Sequence, residues 1–224
     1  QFHFNRNLRA ATQGLVGIVL DIGCGQKPYR LYFQSSTRYV GIDLPFYSGG
    51  IEDAVPATDA YGDGRALPIK DETVDTVVAF QVLEHTPEPA KIISEAHRVL
   101  RPAGTLVVTV PQSYPIHGEP YDFFRYTAYG IRYLLEQQGF HVKSIAQNGQ
   151  FGAYLGLMLN KYIFQHFFEF RRHYATKAVL GVVKVALTPV LLVVIPVVNV
   201  LGLTVDLLHR DPWFTSNYTV VARK

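Results

Sequence analysis

The chain has 224 residues, enough for one α/β domain with a sizeable addition. Apolar residues make up 48% and charged residues only 17%, more apolar surface than an ordinary soluble core requires, and a net charge of +3 without basic clustering argues against a nucleic-acid partner. The one cysteine, Cys24, excludes an internal disulfide and leaves a reducing, cytoplasmic setting as the expectation.

Residues 1 to 13 carry Arg6 and Arg9 but no apolar run of signal-peptide length. The first such run, Leu15 to Leu20, leads into a glycine turn and predicts a first strand over about Gly17 to Asp21. Further strands are predicted over about Tyr39 to Asp43, Ala57 to Tyr61, Val74 to Phe80 and Thr105 to Val110. Between the last two, Pro87 to Leu100 places Ala90, Ile93, Ala96, His97 and Leu100 on one helical face, with prolines near its start and Gly104 beyond its end. Thr127 is suited to cap a second helix whose Ile131, Leu134 and Leu135 face inward, ending at Gly139 before a strand from Phe140 to Ile145. Strands alternating with helices predict a doubly wound, mostly parallel α/β sheet covered on both faces. The closing residues, Asn217 to Arg223, alternate as one more strand.

The segment VLDIGCGQKP, Val19 to Pro28, reads as a strand, a tight glycine turn and a proline at a first helical position. Glycines let backbone approach a ligand closely, and a helix start offers free N–H groups. Asp43 follows in YVGID, where a carboxylate can accept both hydroxyls of a ribose. A nicotinamide-binding turn would continue to a third glycine, where this chain has Pro28, so NAD is disfavoured. Asp75, opening the fourth strand, reads as structural, and Cys24 reads as a packing residue rather than a nucleophile.

Five segments, LDIGCG, YVGID, GDGRALP, VDTVVAFQVLEH and EAHRVLRPAGTLVVTVP, together resemble the successive motifs of class I S-adenosylmethionine-dependent methyltransferases of the methyltransferase-11-like type, over Val19 to Pro111. The resemblance implies a Rossmann-like sheet of seven strands, the last antiparallel and inserted beside strand six. It implies S-adenosyl-L-methionine as cofactor, with Asp21, Gly23, Cys24 and Gly25 lining its methionine and ribose portion and Asp43, with Leu44 beside it, at the ribose hydroxyls. Asp63 and Gly64 match the place that meets the adenine, and Phe80 and Gln81 the sulfonium end. Lys27 departs from the pattern, since many relatives have a third glycine there.

Methyl transfer from a sulfonium is an in-line displacement that needs alignment above all, and an oxygen nucleophile gains from a positioned base. The loop after strand five, SYPIHGEPYDFFRYT, lies where ligands bind in open α/β sheets. His117 is the candidate base, and His85 in VLEH stands near the methyl end by family position, with a structural hydrogen-bonding role as its alternative. Glu119, Tyr121, Asp122, Arg125 and Tyr126 are the candidates to shape an acceptor pocket. Against that, the aromatics could lid the cofactor and Asp122 with Arg125 could be a local ion pair. The PYDF-x-RYT stretch resembles methyltransferases associated with glycan and cell-envelope synthesis, which implies a small or lipid-linked acceptor such as a glycan hydroxyl. The eight histidines are scattered along the chain, so no metal site is expected.

From Phe151 to Asp206 turn signals are few. Five phenylalanines and three tyrosines up to Tyr174 precede Arg171, Arg172, Lys177 and Lys184 or interleave with them, and the stretch between Lys184 and Asp206 has no formal charge. That apolar length matches a bilayer span, but Pro189 and Pro196 predict breaks in a helical ladder. Because flanking strands belong to one sheet, the insertion must return to the side it left. The expected partition is residues 1–149 as the cofactor-binding core, 150–211 as an apolar helical insertion and 212–224 as the final strand. The insertion is expected either to contact the inner face of the membrane peripherally, as a monotopic element, or to form a lid or homodimer interface. Two other classes stay open: a nicotinamide-dependent oxidoreductase, and a non-catalytic, membrane-attached cofactor-binding scaffold.

Overall fold

A computed structural model describes residues 2–45, 58–167, 177–209, 211 and 213–224. Strands β1 (Gly17–Ile22), β2 (Ser36–Asp43), β3 (Ala60–Tyr61), β4 (Val74–Phe80), β5 (Leu100–Pro111), β6 (His141–Gln147) and β7 (Asn217–Arg223) form one sheet in the order β3-β2-β1-β4-β5-β7-β6. The pairs from β3 to β5 are parallel, whereas β7 runs antiparallel to both β5 and β6. This is the Rossmann-like, mostly parallel seven-stranded sheet that the strand and helix alternation and the motif resemblance together predict. Ala57, where the third strand was expected to begin, lies outside the described residues.

Period-two alternation explains both covered faces. Leu20, Ile22, Val77, Ala79, Leu106 and Val108 point to the side carrying α2 (Pro89–Val99) and α3 (Ala128–Gln137), where they meet Ile93, Ala96, Ile131 and Leu135. Val19, Val78, Phe80 and Val107 point to the opposite side, against Leu8 of α1 (Phe2–Thr12) and Phe33 of the short 3-10 turn Arg30–Phe33. Thr127 caps α3 as expected, its hydroxyl accepting from the Gly130 N–H at 3.0 Å. Asp75 joins the starts of β1 and β4, accepting from the Ile18 N–H at 2.7 Å and from Arg101 at 2.5 Å. Helix α1 has no counterpart in the reading from sequence, and β5 begins five residues earlier than Thr105, at Leu100.

Two compact units result: residues 1–148 with 217–224, and residues 149–216. The second is a hairpin of α4 (Phe151–Phe167) and α5 (Lys177–Leu208). Here the expectation of breaks at the prolines is corrected, because α5 is one helix through both Pro189 and Pro196. Each proline removes one N–H, but their seven-residue spacing puts both gaps on one face of the helix, and the uninterrupted apolar sequence carries the ladder past them. The helices touch through glycine: a Cβ on Gly202 would stand 2.5 Å from the Gly152 carbonyl oxygen, and Gly156 repeats the small residue one turn on. Asp206 caps α4 across the hairpin, its buried carboxylate accepting from the N–H groups of Gln150 at 2.9 Å and Gly152 at 2.8 Å. Asn160 donates to Asn199 at 2.8 Å farther along. Thr188–Leu208 has a mean hydropathy of 2.4 and is only 11% buried, with Leu192, Leu201, Leu207 and Leu208 outermost. Arg171 and Arg172 lie outside the described residues.

Candidate active site

Strand order reverses between β1 and β4, since the chain builds outward from β1 through β2 to β3 and then restarts at β4. Beyond the carboxyl ends of two such strands the loops diverge and leave a crevice. Gly23 follows β1 with φ +67, and a Cβ there would come within 2.6 Å of Val82 Cγ2, so glycine alone lets the turn after β1 close on the turn after β4. Gly25 is also left-handed, at φ +48, and its N–H donates to Asp43 Oδ2 at 2.7 Å; Leu44 N–H donates to Asp43 Oδ1 at 2.7 Å. The glycine turn and the end of β2 are thereby locked together. Asp43 keeps lone pairs to spare, because a carboxylate has about four acceptor positions.

Asp21 sits at the base of this crevice, 1% exposed. Tyr39 donates to its Oδ2 at 2.5 Å, while Oδ1 is buried without a hydrogen-bond partner among the described residues. Burial pushes its carboxyl up to about 7, outweighing the Tyr39 hydrogen bond that pulls it down. A buried acceptor left unsatisfied beside two left-handed glycines is what a ligand bearing an ammonium group would complete.

Lys27 takes the left-handed conformation, φ 52, where many relatives of the resembling family have glycine. Its ammonium bonds Asp59 Oδ2 at 2.5 Å, and the same oxygen accepts from the Gly41 N–H at 2.7 Å, so an ion pair holds the turn in place of a glycine's freedom. Cys24 is buried against Thr58, and burial raises its thiol to about 11, leaving it protonated at neutral pH. Asp63 is held by Arg65, through the backbone N–H at 2.8 Å and the guanidinium at 2.7 Å, an arrangement that lowers its pKa. Gly64 is packed under Ile22. Phe80 turns its ring away from the crevice, packing edge-on to Tyr29 at 4.8 Å, so only its backbone borders the site. Gln81, left-handed at φ 56, stands at the end of β4 with its Nε2 on Thr109 Oγ1 at 3.0 Å.

The loop after β5 is braced from within. Asp122, its side chain 2% exposed, accepts from Arg125 at 2.6 and 2.7 Å and from the His117 N–H at 2.8 Å. Arg125 also donates to the carbonyls of Tyr114, Pro115 and Phe124. These two residues therefore shape the loop as an ion pair, with no donor of the guanidinium left over. Tyr126 is buried and donates to the Leu83 carbonyl at 2.8 Å. Glu119 and Tyr121 are exposed, and the Tyr121 carbonyl accepts from His85 Nδ1 at 2.7 Å. His117 Nδ1 donates to the Pro115 carbonyl at 3.1 Å, and the two imidazoles meet edge to face with centroids 4.8 Å apart. Burial lowers the pKa of His117, leaving it neutral at pH 7 with a free lone pair on Nε2.

The reading from sequence missed Tyr39, Asp59 and Glu84. The first two lie within reach of Asp21 and Lys27 only once β1 and β2 pair. Glu84 is 0% exposed, neither of its side-chain oxygens has a hydrogen-bond partner among the described residues, and burial raises its carboxyl to about 8.

Comparison with known proteins agrees with this geometry. Residues 20–108 match a family model described as a methyltransferase domain. A Mycolicibacterium smegmatis protein named "Probable S-adenosylmethionine-dependent methyltransferase" is 32% identical over 136 residues, covering 56% of this chain and 52% of its own length. The chain spans about half the length of the curated relatives it matches. Among solved structures, the cyclase SpnF superposes with a TM-score of 0.62 at 21% identity, over 99% of this chain and 80% of its own. An Archaeoglobus fulgidus S-adenosylmethionine-dependent methyltransferase gives 0.60 at 16% identity, over 100% and 93%. At such identities the likeness is one of fold, and the fold hosts a cyclase as well as methyltransferases, so the activity has to be argued from the site. The glycine turn and the carboxylate ending β2 both lie inside the span 20–108 that resembles a methyltransferase domain, and the sheet that carries them is Rossmann-like.

Proposed function

We propose that the protein transfers a methyl group from S-adenosyl-L-methionine to an oxygen of a small or lipid-linked acceptor, such as a glycan hydroxyl. The observation carrying this reading is the pair of carboxylates at the crevice: Asp21, with a buried oxygen lacking a partner, and Asp43, bound to the glycine turn. Asp21 would receive the ammonium of the methionine portion, Gly23 and Gly25 would bring backbone against it, and Asp43 would accept the ribose hydroxyls. Asp63 and Gly64 stand at the adenine end, and Gln81 with the Phe80 backbone borders the methyl end. When bound, the cofactor supplies an electrophilic methyl on a sulfonium sulfur that departs neutral, so the residues mainly align, worth about 7 to 11 kcal/mol in well-oriented systems. His117, neutral and with Nε2 free, is the group to take the acceptor's proton. Pro28 in place of a third glycine speaks against a nicotinamide cofactor.

Calorimetry with S-adenosylmethionine and with NAD tests the cofactor half, with binding of the former alone expected. Labelled methyl transfer into a membrane extract, followed by identification of the product, tests the acceptor half. Label in lipid or glycan supports the reading; cofactor binding without incorporation into any fraction refutes turnover and leaves a scaffold.

The helical hairpin of the second unit is proposed to rest in the membrane interface on the cytoplasmic side. Its outer surface is a nearly continuous set of exposed aliphatic side chains from Val190 to Leu208, and exposed Phe151, Tyr162 and Phe164 add aromatics suited to the headgroup layer. Strands β6 and β7, which flank it in sequence, are hydrogen-bonded neighbours, so the hairpin leaves and returns to one sheet. Flotation with anionic vesicles tests it: wild type should float, and a chain with residues 151–210 replaced by a short linker should not. Wild type that stays in solution as a dimer would favour the homodimer interface instead.

A further inference from the structure

Glu84 and His85 are remote in sequence from His117, yet one ligating atom from each of the three falls within 4.8 Å of the others. We propose that they form a binding site for a divalent first-row transition ion, with Zn2+ as the best-fitting class. Four observations carry it.

First, the donor set of one carboxylate and two imidazoles is that of three-ligand zinc and related sites, which keep further positions open. Second, both rings are already fixed for the task. A carbonyl can only accept, so His85 Nδ1 must donate to Tyr121 O at 2.7 Å and His117 Nδ1 to Pro115 O at 3.1 Å. That tautomer leaves each Nε2 with a lone pair. Hydrogen bonding of the second ring nitrogen is the outer-shell arrangement that orients metal-bound histidines, and Asp122 supports it indirectly by accepting from the backbone N–H of His117 at 2.8 Å. Third, Glu84 is fully buried, with neither side-chain oxygen hydrogen-bonded among the described residues, and its Oε1 lies 4.0 Å from His85 Nε2. An isolated carboxyl in that position either keeps its proton or takes a cation. Fourth, the positive group best placed to neutralise it, Arg125, is spent on Asp122 and on three carbonyls.

Tetrahedral ligands about 2.0 to 2.1 Å from zinc stand about 3.4 Å apart, so capture requires the three side chains to draw in by roughly 1 Å. His117, its side chain 34% exposed against 18% for His85 and 0% for Glu84, is the ligand with most room to shift. The sites of ion and base exclude one another at His117: once Nε2 ligates a metal it takes no proton, and its service as a base belongs to the metal-free protein.

The inference needs neither cofactor nor acceptor, so it is tested apart from methyl transfer. The full chain, freed of metal, is titrated with Zn2+ against a chromophoric chelator, and with Co2+ while the visible d–d bands are recorded. One ion per chain is expected, with Co2+ bands of a low-coordinate nitrogen and oxygen site. His117→Ala and the isosteric Glu84→Gln should each weaken binding at least about 10- to 100-fold and erase those bands. His141→Ala, which changes an exposed histidine elsewhere, should change neither. Circular dichroism and calorimetric binding of S-adenosylmethionine confirm that each variant is folded. Wild type that takes up no ion, or binding that survives unchanged in folded His117→Ala, overturns the proposal.

Discussion

Replacing Asp21 by asparagine separates the cost of a buried carboxylate from its use. In the unfolded chain this carboxyl titrates near pH 4, whereas in the native protein burial holds the value up to about 7. Below pH 4 both states carry the proton and the residue is neutral in either. Between pH 4 and 7 the unfolded chain releases its proton while the native state keeps it, so stability falls by up to about 1.4 kcal/mol per pH unit. Above 7 both are ionised, and the native state is left weaker by about 4 kcal/mol from this group. A carboxamide at this position does not titrate. Tyr39 can still donate to its amide oxygen, and the amide nitrogen replaces an atom that was already without a partner. Urea denaturation of wild type and Asp21→Asn at half-unit intervals from pH 5 to 8.5 should therefore give curves that diverge, the variant gaining over wild type as pH rises. Glu84, also raised by burial, slopes both curves alike, so their difference reports Asp21 alone. The same substitution should abolish a pH dependence of S-adenosylmethionine affinity that in wild type falls up to tenfold per unit below pH 7, because an ammonium needs the ionised partner. Parallel stability curves, or a variant that binds as tightly as wild type at pH 8, would refute both the burial argument and the place of Asp21 in the site.

Asp43→Ala should lower S-adenosylmethionine affinity by at least tenfold by calorimetry, since charge-assisted bonds of about 1.5 to 3 kcal/mol each are lost and the Gly25 N–H is freed. Tyr39→Phe removes the one hydrogen bond that lowers the Asp21 carboxyl, so the pH midpoint of cofactor affinity should move upward with little change in the plateau. Gly23→Ala combines a left-handed backbone with a Cβ 2.6 Å from Val82 Cγ2, and should cost at least about 1 to 2 kcal/mol of stability together with cofactor binding. In the second unit, Asp206→Ala should leave the N–H groups of Gln150 and Gly152 unsatisfied and cost about 1 to 3 kcal/mol, seen as faster amide exchange over residues 151–160 while the sheet strands keep their protection.

How much of this was legible in the chain depended on the range over which each signal acts. β1, β2, β4 and β7 announce themselves because their apolar residues alternate or run unbroken within a few positions, and the glycine turn because Gly23 and Gly25 are needed by local backbone geometry. Helix α1 carries Phe4, Leu8 and Ala11 at helical spacing, but Arg6 and Arg9 dilute it, so its packing against the sheet decides it. Prolines mislead in α5 because a local rule about one lost N–H is outweighed by a ladder many turns long. Least legible was the chemistry at His117. Glu84 and His85 are adjacent in sequence, but their meeting with His117 depends on β4 and β5 lying side by side and on a loop pinned by Asp122 and Arg125. Scattered histidines therefore give no metal-ligand spacing to read, although the fold gathers two of them around a carboxylate. Asp122 and Arg125, candidates for an acceptor pocket from the position of their loop, form the local ion pair that was the alternative, and they hold the backbone that orients the imidazole. With Asp122 and Arg125 spent on each other and only Glu119 of the loop's charges exposed, the acceptor of the proposed reaction would meet chiefly two imidazole rings and exposed aromatics. On that proposal selectivity would rest on shape and on whatever occupies the Nε2 positions, with Glu119 the one exposed charge of the loop to add a salt bridge.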